Sequence, residues 1–313
     1  MQSNHHTENS AHAGMLLWAV IVGLSFPVVG LMSPGMPPLL LTSLRFAIAA
    51  AALWPFARRA AGGPPGQRAR MLYALMGLCQ AGFFGSMFWS AHRVSAVSMS
   101  TLYATVPLIA YVLGRLFAVE TPAARMLRVL SLGAAGAMAL AWAQHPGGVN
   151  GIPLGWGECV FFAGCVASAL HPVLTKWGLR HGVLQGSATV RTFWSLVAGS
   201  ILIGLAGLLV ENPIGLGSLT WLDGGLLIWL GVFSSGVTFW LTQRAAAALT
   251  PAAVTAYSYL VPFVSLLILF LQHPRNLGWH WLPGSLLVVT ATCLLAGPGA
   301  GSKSRTPRHA PCS

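Results

Sequence analysis

The stretch STLYATVPLIAYVLGRLFAV, residues 100–119, is apolar enough to cross a bilayer and carries one proline, Pro107, near its middle. A second version, TAYSYLVPFVSLLILFL at 255–271, holds Pro262 in the corresponding place. Proline lacks an N–H and clashes with the carbonyl four residues back. Inside a bilayer that defect is tolerated only where neighbouring helices or a wet cavity satisfy the freed group. Two such helices, one in each half of the chain, predict two repeats arranged around a central pathway.

Composition agrees with a membrane protein. The chain has 313 residues, 55% hydrophobic and 7% charged, where a soluble domain carries about 25% charged residues. Lys and Arg number 17 against 5 Asp and Glu. They sit in short gaps between apolar runs, not on a folded polar face, so the lipid bilayer is the expected partner and nucleic acid is not. Cys79, Cys159, Cys165, Cys293 and Cys312 show no CxxC pairing and read as small buried hydrophobes. No HExxH, GxSxG or P-loop pattern occurs, and the apolar runs hold no acidic pair. Enzymatic chemistry, a metal centre and a cofactor are therefore not expected.

A membrane helix needs about 20 mostly apolar residues. That window gives ten spans: 14–32, 37–57, 71–91, 97–119, 127–144, 156–177, 188–210, 221–243, 252–271 and 280–298. Residues 1–13 are polar and lack Lys and Arg, so the first apolar run reads as a retained span and not as a cleaved signal. Loops after even-numbered spans hold Arg58, Arg59, Arg68, Arg70, Arg125, Arg128 and their like, whereas the alternate gaps hold Arg93 and Arg275. This bias predicts cytoplasmic N- and C-termini. Most of the tryptophans, Trp156, Trp221 and Trp279 among them, fall near span ends, as an interfacial belt requires.

Matches between the halves come in chain order. Phe26-Pro27-Val28 answers His171-Pro172-Val173, Leu44-Arg45-Phe46 answers Val190-Arg191-Thr192-Phe193, Val106-Pro107 answers Val261-Pro262, and Gly133 answers Gly284. A further resemblance, between Gly85-x-x-Phe88-Trp89 and Gly236-x-x-Phe239-Trp240, needs a four-residue insertion after Arg244 to fit this series, which leaves the register of spans three and eight open. Five spans per half turn the second copy over. The expected fold is an all-α membrane protein of ten transmembrane helices forming two inverted five-helix repeats, 14–144 and 156–298. A cytoplasmic tail (1–13), a linker (145–155) and a basic, disordered tail (299–313) complete it.

The chain resembles the EamA-type ten-helix members of the drug/metabolite transporter superfamily over roughly residues 15–298. The resemblance is carried by SLRFAIAA with Arg45, by Tyr103 to Pro107 leading to Glu120, by LTPAAVTAYSYLVP, and by PGSLLVVTATCLLAG. That family ends spans four and nine with a glycine-glutamate element. Here Gly114 and Glu120 are spaced differently, and span nine ends Gln272-His273-Pro274 without an acid. The resemblance implies an inner-membrane carrier that moves small metabolites, often amino acids or amphipathic toxins, outward without ATP. The competing class is a membrane-embedded scaffold that keeps the repeat without transport, and a homodimer stays open.

Candidate pathway residues are few. Arg45 lies inside span two with no acid nearby in sequence. It reads either as an anchor for a substrate carboxylate or as a structural arginine reaching for carbonyl groups or the interface. Arg191 sits nearer its span end, where snorkelling accounts for it. His171 can titrate near neutral pH and carry a coupled proton, or it can be a hydrogen-bonded packing residue. Gln80, Tyr103, Tyr257 and Tyr259 offer hydrogen-bonding groups near the membrane centre, the tyrosines just ahead of Pro107 and Pro262, to line a cavity or to hold helices together. Glu120 and Glu158 lie near interfaces and read as solvated or paired structural groups.

Overall fold

The computed structural model describes residues 2–60, 63–91, 93–143, 155–272 and 279–297. Linker residues 145–154, the basic tail, Arg275 and the His273-Pro274 step that follows span nine lie outside them. Among the described residues ten helical segments are long and apolar enough to cross a membrane, from Thr7–Gly30 to Trp279–Ala296. Helix α1 (Gln2–Gly30) begins within the polar stretch expected as a tail, so that stretch is helical and runs directly into the first span. Then follow α2 (Pro38–Ala60) and α3 (Gln67–Ser90). The fourth span is split into α4 (Ala96–Tyr103) and α5 (Val106–Leu116), and α6 (Ala124–Ala143) closes the first half.

The second half has α7 (Trp156–Arg180) and α8 (Ala188–Val210). Its eighth span is α9 (Trp221–Trp229), a π-helical segment Leu230–Val237, and α10 (Thr238–Ala248). The ninth is α11 (Pro251–Ala256), a 3-10 turn Tyr257–Tyr259 and α12 (Leu260–Gln272); α13 (Leu282–Ala296) is the tenth. Both proline spans are thus interrupted just ahead of the proline. Pro107 offers no N–H to the Tyr103 carbonyl, and Pro262 offers none to Ser258, so the helix restarts at each point.

Three acidic side chains hold helix starts, where backbone N–H groups have no helical partner. Glu211 accepts from the Leu39 and Leu40 amides at 2.8 and 2.9 Å. Asp223 accepts from the amides of Ser33 and Thr220, both at 2.9 Å. Glu158 accepts from the Gly155 amide at 3.1 Å.

The halves pack through corresponding spans. Helix α2 lies against α8, and the contacts run in opposite directions along the two. Leu40 meets Gly207, Ser43 meets Ser200, Phe46 meets Gly199, and the Trp54 ring lies 5.3 Å from that of Phe193. Helices α6 and α13 are likewise antiparallel. A Cβ on Gly136 would lie 2.8 Å from the Val288 nitrogen, and one on Gly284 would lie 2.9 Å from the Leu140 nitrogen. Each glycine receives the residue four beyond the other, a close backbone approach that small residues permit in a membrane. The reciprocal partner of Gly284 is therefore Gly136; Gly133 instead receives the ring of Tyr259.

A second pair of contacts settles the register of spans three and eight. Gly231 packs on Ile48 and the Ser234 hydroxyl meets Arg45, while Gly77 packs on Ala198 and Gln80 meets Ser195. One shift of 154 residues carries Gly77 to Gly231 and Gln80 to Ser234, and one shift of 150 carries Arg45 to Ser195 and Ile48 to Ala198. The shift of 154 is within one residue of the 155 that separates Pro107 from Pro262, so the four-residue insertion after Arg244 is not needed, and the structural counterpart of Arg45 is Ser195, not Arg191.

Candidate functional site

Arg45 projects from α2 onto the π-helical segment, where its Nη2 donates to the Ser234 hydroxyl at 3.1 Å. Its Nε is sealed and has no partner among the described residues, and neither has the buried hydroxyl of Ser235. A π-helical segment adds a residue to the turn and recurs at functional sites. Here Gly231 lets it approach α2 until a Cβ would stand 3.1 Å from the Arg45 carbonyl.

Gln80 and His171 come together in a second cluster with Ser195. The Gln80 Nε2 donates to Ser195 Oγ at 3.1 Å and lies 3.4 Å from His171 Nε2, which is 3.3 Å from the same hydroxyl. The ring of Phe239 meets the imidazole edge-on at 5.8 Å. Gly199 leaves room for the Gln80 carbonyl oxygen, which stays unpartnered among the described residues. The polar chain continues: Thr175 donates to the His171 carbonyl at 3.1 Å, Gln243 to Thr175 at 3.3 Å, and Arg191 to the Gln243 carbonyl at 3.1 Å. Arg191 is buried by this bonding and by a second bond of 2.6 Å to the Gly186 carbonyl, so it turns inward where snorkelling was expected.

The tyrosines divide. Tyr103, at the end of α4, lies 5.7 Å from the ring of Phe83. Tyr257 is fully buried and bonds His12 of α1 at 2.6 Å. Tyr259 stacks on Gly133, its hydroxyl buried without a partner among the described residues. Pro107 and Pro262 stand at the restarts of the two broken spans, and α11 packs on α5, so the breaks adjoin across the halves.

A groove of about 770 Å³ opens at the α2–α3 and α7–α8 turns, lined by Arg68, Tyr73, His181 and Trp194 among others, and none of the eight candidate residues lines it. Among the described residues no group of three or more His, Cys, Asp or Glu is placed to hold a metal ion.

Ser195, Ser234, Thr175 and Gln243 had no signal in the sequence that singled them out. A lone Ser or Thr in an apolar helix usually bonds its own backbone, as Thr42 and Thr292 do here. The SSG step at 234–236 between apolar runs was the one usable hint.

Glu120 follows α5 and is buried. Its Oε2 accepts from the Ala252 amide of α11 at 3.3 Å. Burial pushes its carboxyl up to about 7, against the lowering effect of Ala252, Thr250, Lys176 and Arg180.

Ten apolar helices among the described residues, two of them broken at matching prolines, with α2 antiparallel on α8 and α6 antiparallel on α13, define a polytopic α-helical membrane protein. The model of the EamA-like transporter family matches residues 9–142 and 155–297, and the chain belongs to that family. It is 24% identical over 253 residues to the uncharacterized inner membrane transporter YedA of Escherichia coli K12, covering 80% of this chain and 78% of that protein. The YedA proteins of E. coli O6:H1 and O157:H7 match to the same extent. A crystal structure with 17% sequence identity superposes with a TM-score of 0.75 over 92% of this chain and 96% of that one, which shows the shared fold.

Proposed function

We propose that the protein is an inner-membrane carrier with both termini cytoplasmic, exporting small amino-acid-like or amphipathic metabolites by alternating access between two inverted halves. Arg45 anchors the substrate carboxylate. The polar groups of Gln80, Tyr103, His171, Tyr257 and Tyr259 and the breaks at Pro107 and Pro262 form the pathway. One observation carries this reading: a guanidinium within an apolar span meets a single serine hydroxyl, and its Nε is left free among the described residues. An unpaired buried cation is costly, and an incoming anion offsets that cost. The positive-inside bias supports the orientation, and the antiparallel pairing of corresponding helices supports the inverted halves.

Counterflow of labelled metabolites in proteoliposomes tests the proposal. Flux of carboxylate substrates that Arg45→Ala abolishes, with cationic substrates spared, is the expected outcome. Absence of flux across a broad amino-acid and drug panel would favour a scaffold instead.

A further inference from the structure

We propose that Glu120 is a proton-binding site that latches the two halves together where α5 and α10 end. With the proton on its carboxyl this end of the bundle stays closed, and release of the proton to the adjoining water opens it. The inference concerns the gate and needs no assignment of the substrate.

The geometry ties four elements at one point. After α5 the chain turns back, with the amides of Val119 and Glu120 both donating to the Gly114 carbonyl at 2.8 and 2.9 Å. The turn passes through Ala118 at φ 54°, a left-handed conformation that alanine rarely adopts. Its carbonyl accepts from Arg180 of α7 at 2.6 Å, so the second half holds the strained turn in place. That turn delivers Glu120 to the first amides of α11, also in the second half. Beside it the Lys176 ammonium donates to the Ala247 carbonyl at the end of α10, at 3.1 Å. Glu158, Glu211 and Asp223 have helix-capping tasks within their own end of the bundle. Glu120 alone is buried between two cations at the seam where the broken spans four and nine meet.

The groups facing Glu120 are Lys176 and Arg180 from α7 and the Thr250 hydroxyl and Ala252 amide ahead of and within α11. Arg115 on its own element is exposed, and Arg125 of α6 is directed to the Leu294 carbonyl. Burial outweighs these partners and raises the carboxyl to about 7. Once the seam opens, the carboxyl meets water and returns to the usual value of about 4.3. The closed form therefore holds the proton more tightly than the open one. Acid favours closure, which is strongest below about pH 4.3, weakens as pH rises to about 7 and falls no further above that.

Hydrogen exchange of the full-length protein in lipid nanodiscs, corrected for the intrinsic pH dependence of exchange, tests the latch without any substrate. The amides of Val119, Glu120 and Ala252 should be most protected below about pH 4.3 and lose protection progressively up to about pH 7, while α13 stays unchanged. Glu120→Gln, which keeps the shape and cannot ionise, should protect these amides at every pH. Lys176→Gln removes a facing positive charge and should move the loss of protection to higher pH. Protection that is flat with pH in the unsubstituted protein, or equally pH-dependent in Glu120→Gln, overturns the proposal. Because exchange is read without transport, a failure here is distinct from a failure of the carrier reading.

Discussion

Ser43 and Ser200 bond each other reciprocally: the Ser43 hydroxyl donates to the Ser200 carbonyl at 2.8 Å and the Ser200 hydroxyl to the Ser43 carbonyl at 2.9 Å. One side chain stands on the second span and the other on the seventh, so the crossing of the two halves is pinned by a pair with local two-fold symmetry. Interhelical bonds of this kind contribute about 0.6 kcal/mol each in a bilayer. Ser43→Ala and Ser200→Ala should each lower stability by about that amount, and the double variant by about twice as much. Reversible unfolding in mixed micelles checks this. A single variant costing as much as the pair would mean that the two bonds act as one.

The α6–α13 crossing should be less forgiving. Gly136 and Gly284 face backbone atoms, which cannot swing aside as side chains do. Gly136→Val or Gly284→Val should cost about 1–3 kcal/mol by forcing the helices apart, seen as a lower melting temperature in detergent. Gly85, with nothing within 4 Å of its added Cβ, should tolerate Gly85→Ala with little change.

Much of this architecture was legible in the sequence because it is local. Ten apolar runs and two prolines report on single helices, and each proline break falls where the missing N–H requires it. The pairing register was not legible. Residues four apart lie on nearly the same helix face, so an alignment slipped by a few residues keeps the apolar pattern intact. Matching Arg45 to Arg191 by letter was such a slip: packing equates Arg45 with Ser195 and Ser234 with Gln80. The candidate residues also proved to be several clusters, since only Gln80 and His171 share one. Sequence spacing says which side chains are polar, but the rotation of each helix decides which of them meet.

His171 should not set the pH dependence of transport. Its Nε2 lies within 3.4 Å of both Gln80 and Ser195, no carboxylate among the described residues bonds it, and Phe239 covers its edge. A neutral imidazole suits that setting, because a buried cation without a counter-charge is disfavoured. His171→Gln should retain the pH profile of counterflow while changing apparent substrate affinity, and His171→Leu should lower both flux and stability by stranding Gln80. A flattened profile in His171→Gln would make the histidine a proton carrier after all.

The prolines give the most direct test of whether the broken spans move. Pro107→Ala and Pro262→Ala each restore an N–H opposite the carbonyls of Tyr103 and Ser258 and allow a continuous helix. An alanine in a helix is favoured over proline by about 3 kcal/mol, so the structure should not lose stability, and melting temperatures in detergent should hold or rise. If the breaks are hinges that bend as the bundle opens from one face to the other, stiffening them should slow exchange between the two forms. Counterflow rates should then fall about tenfold or more for a barrier raised by some 1.4 kcal/mol, with substrate affinity little altered. Variants that are stable and transport at the original rate would show that spans four and nine turn as rigid, permanently kinked bodies, and that the motion resides elsewhere in the bundle.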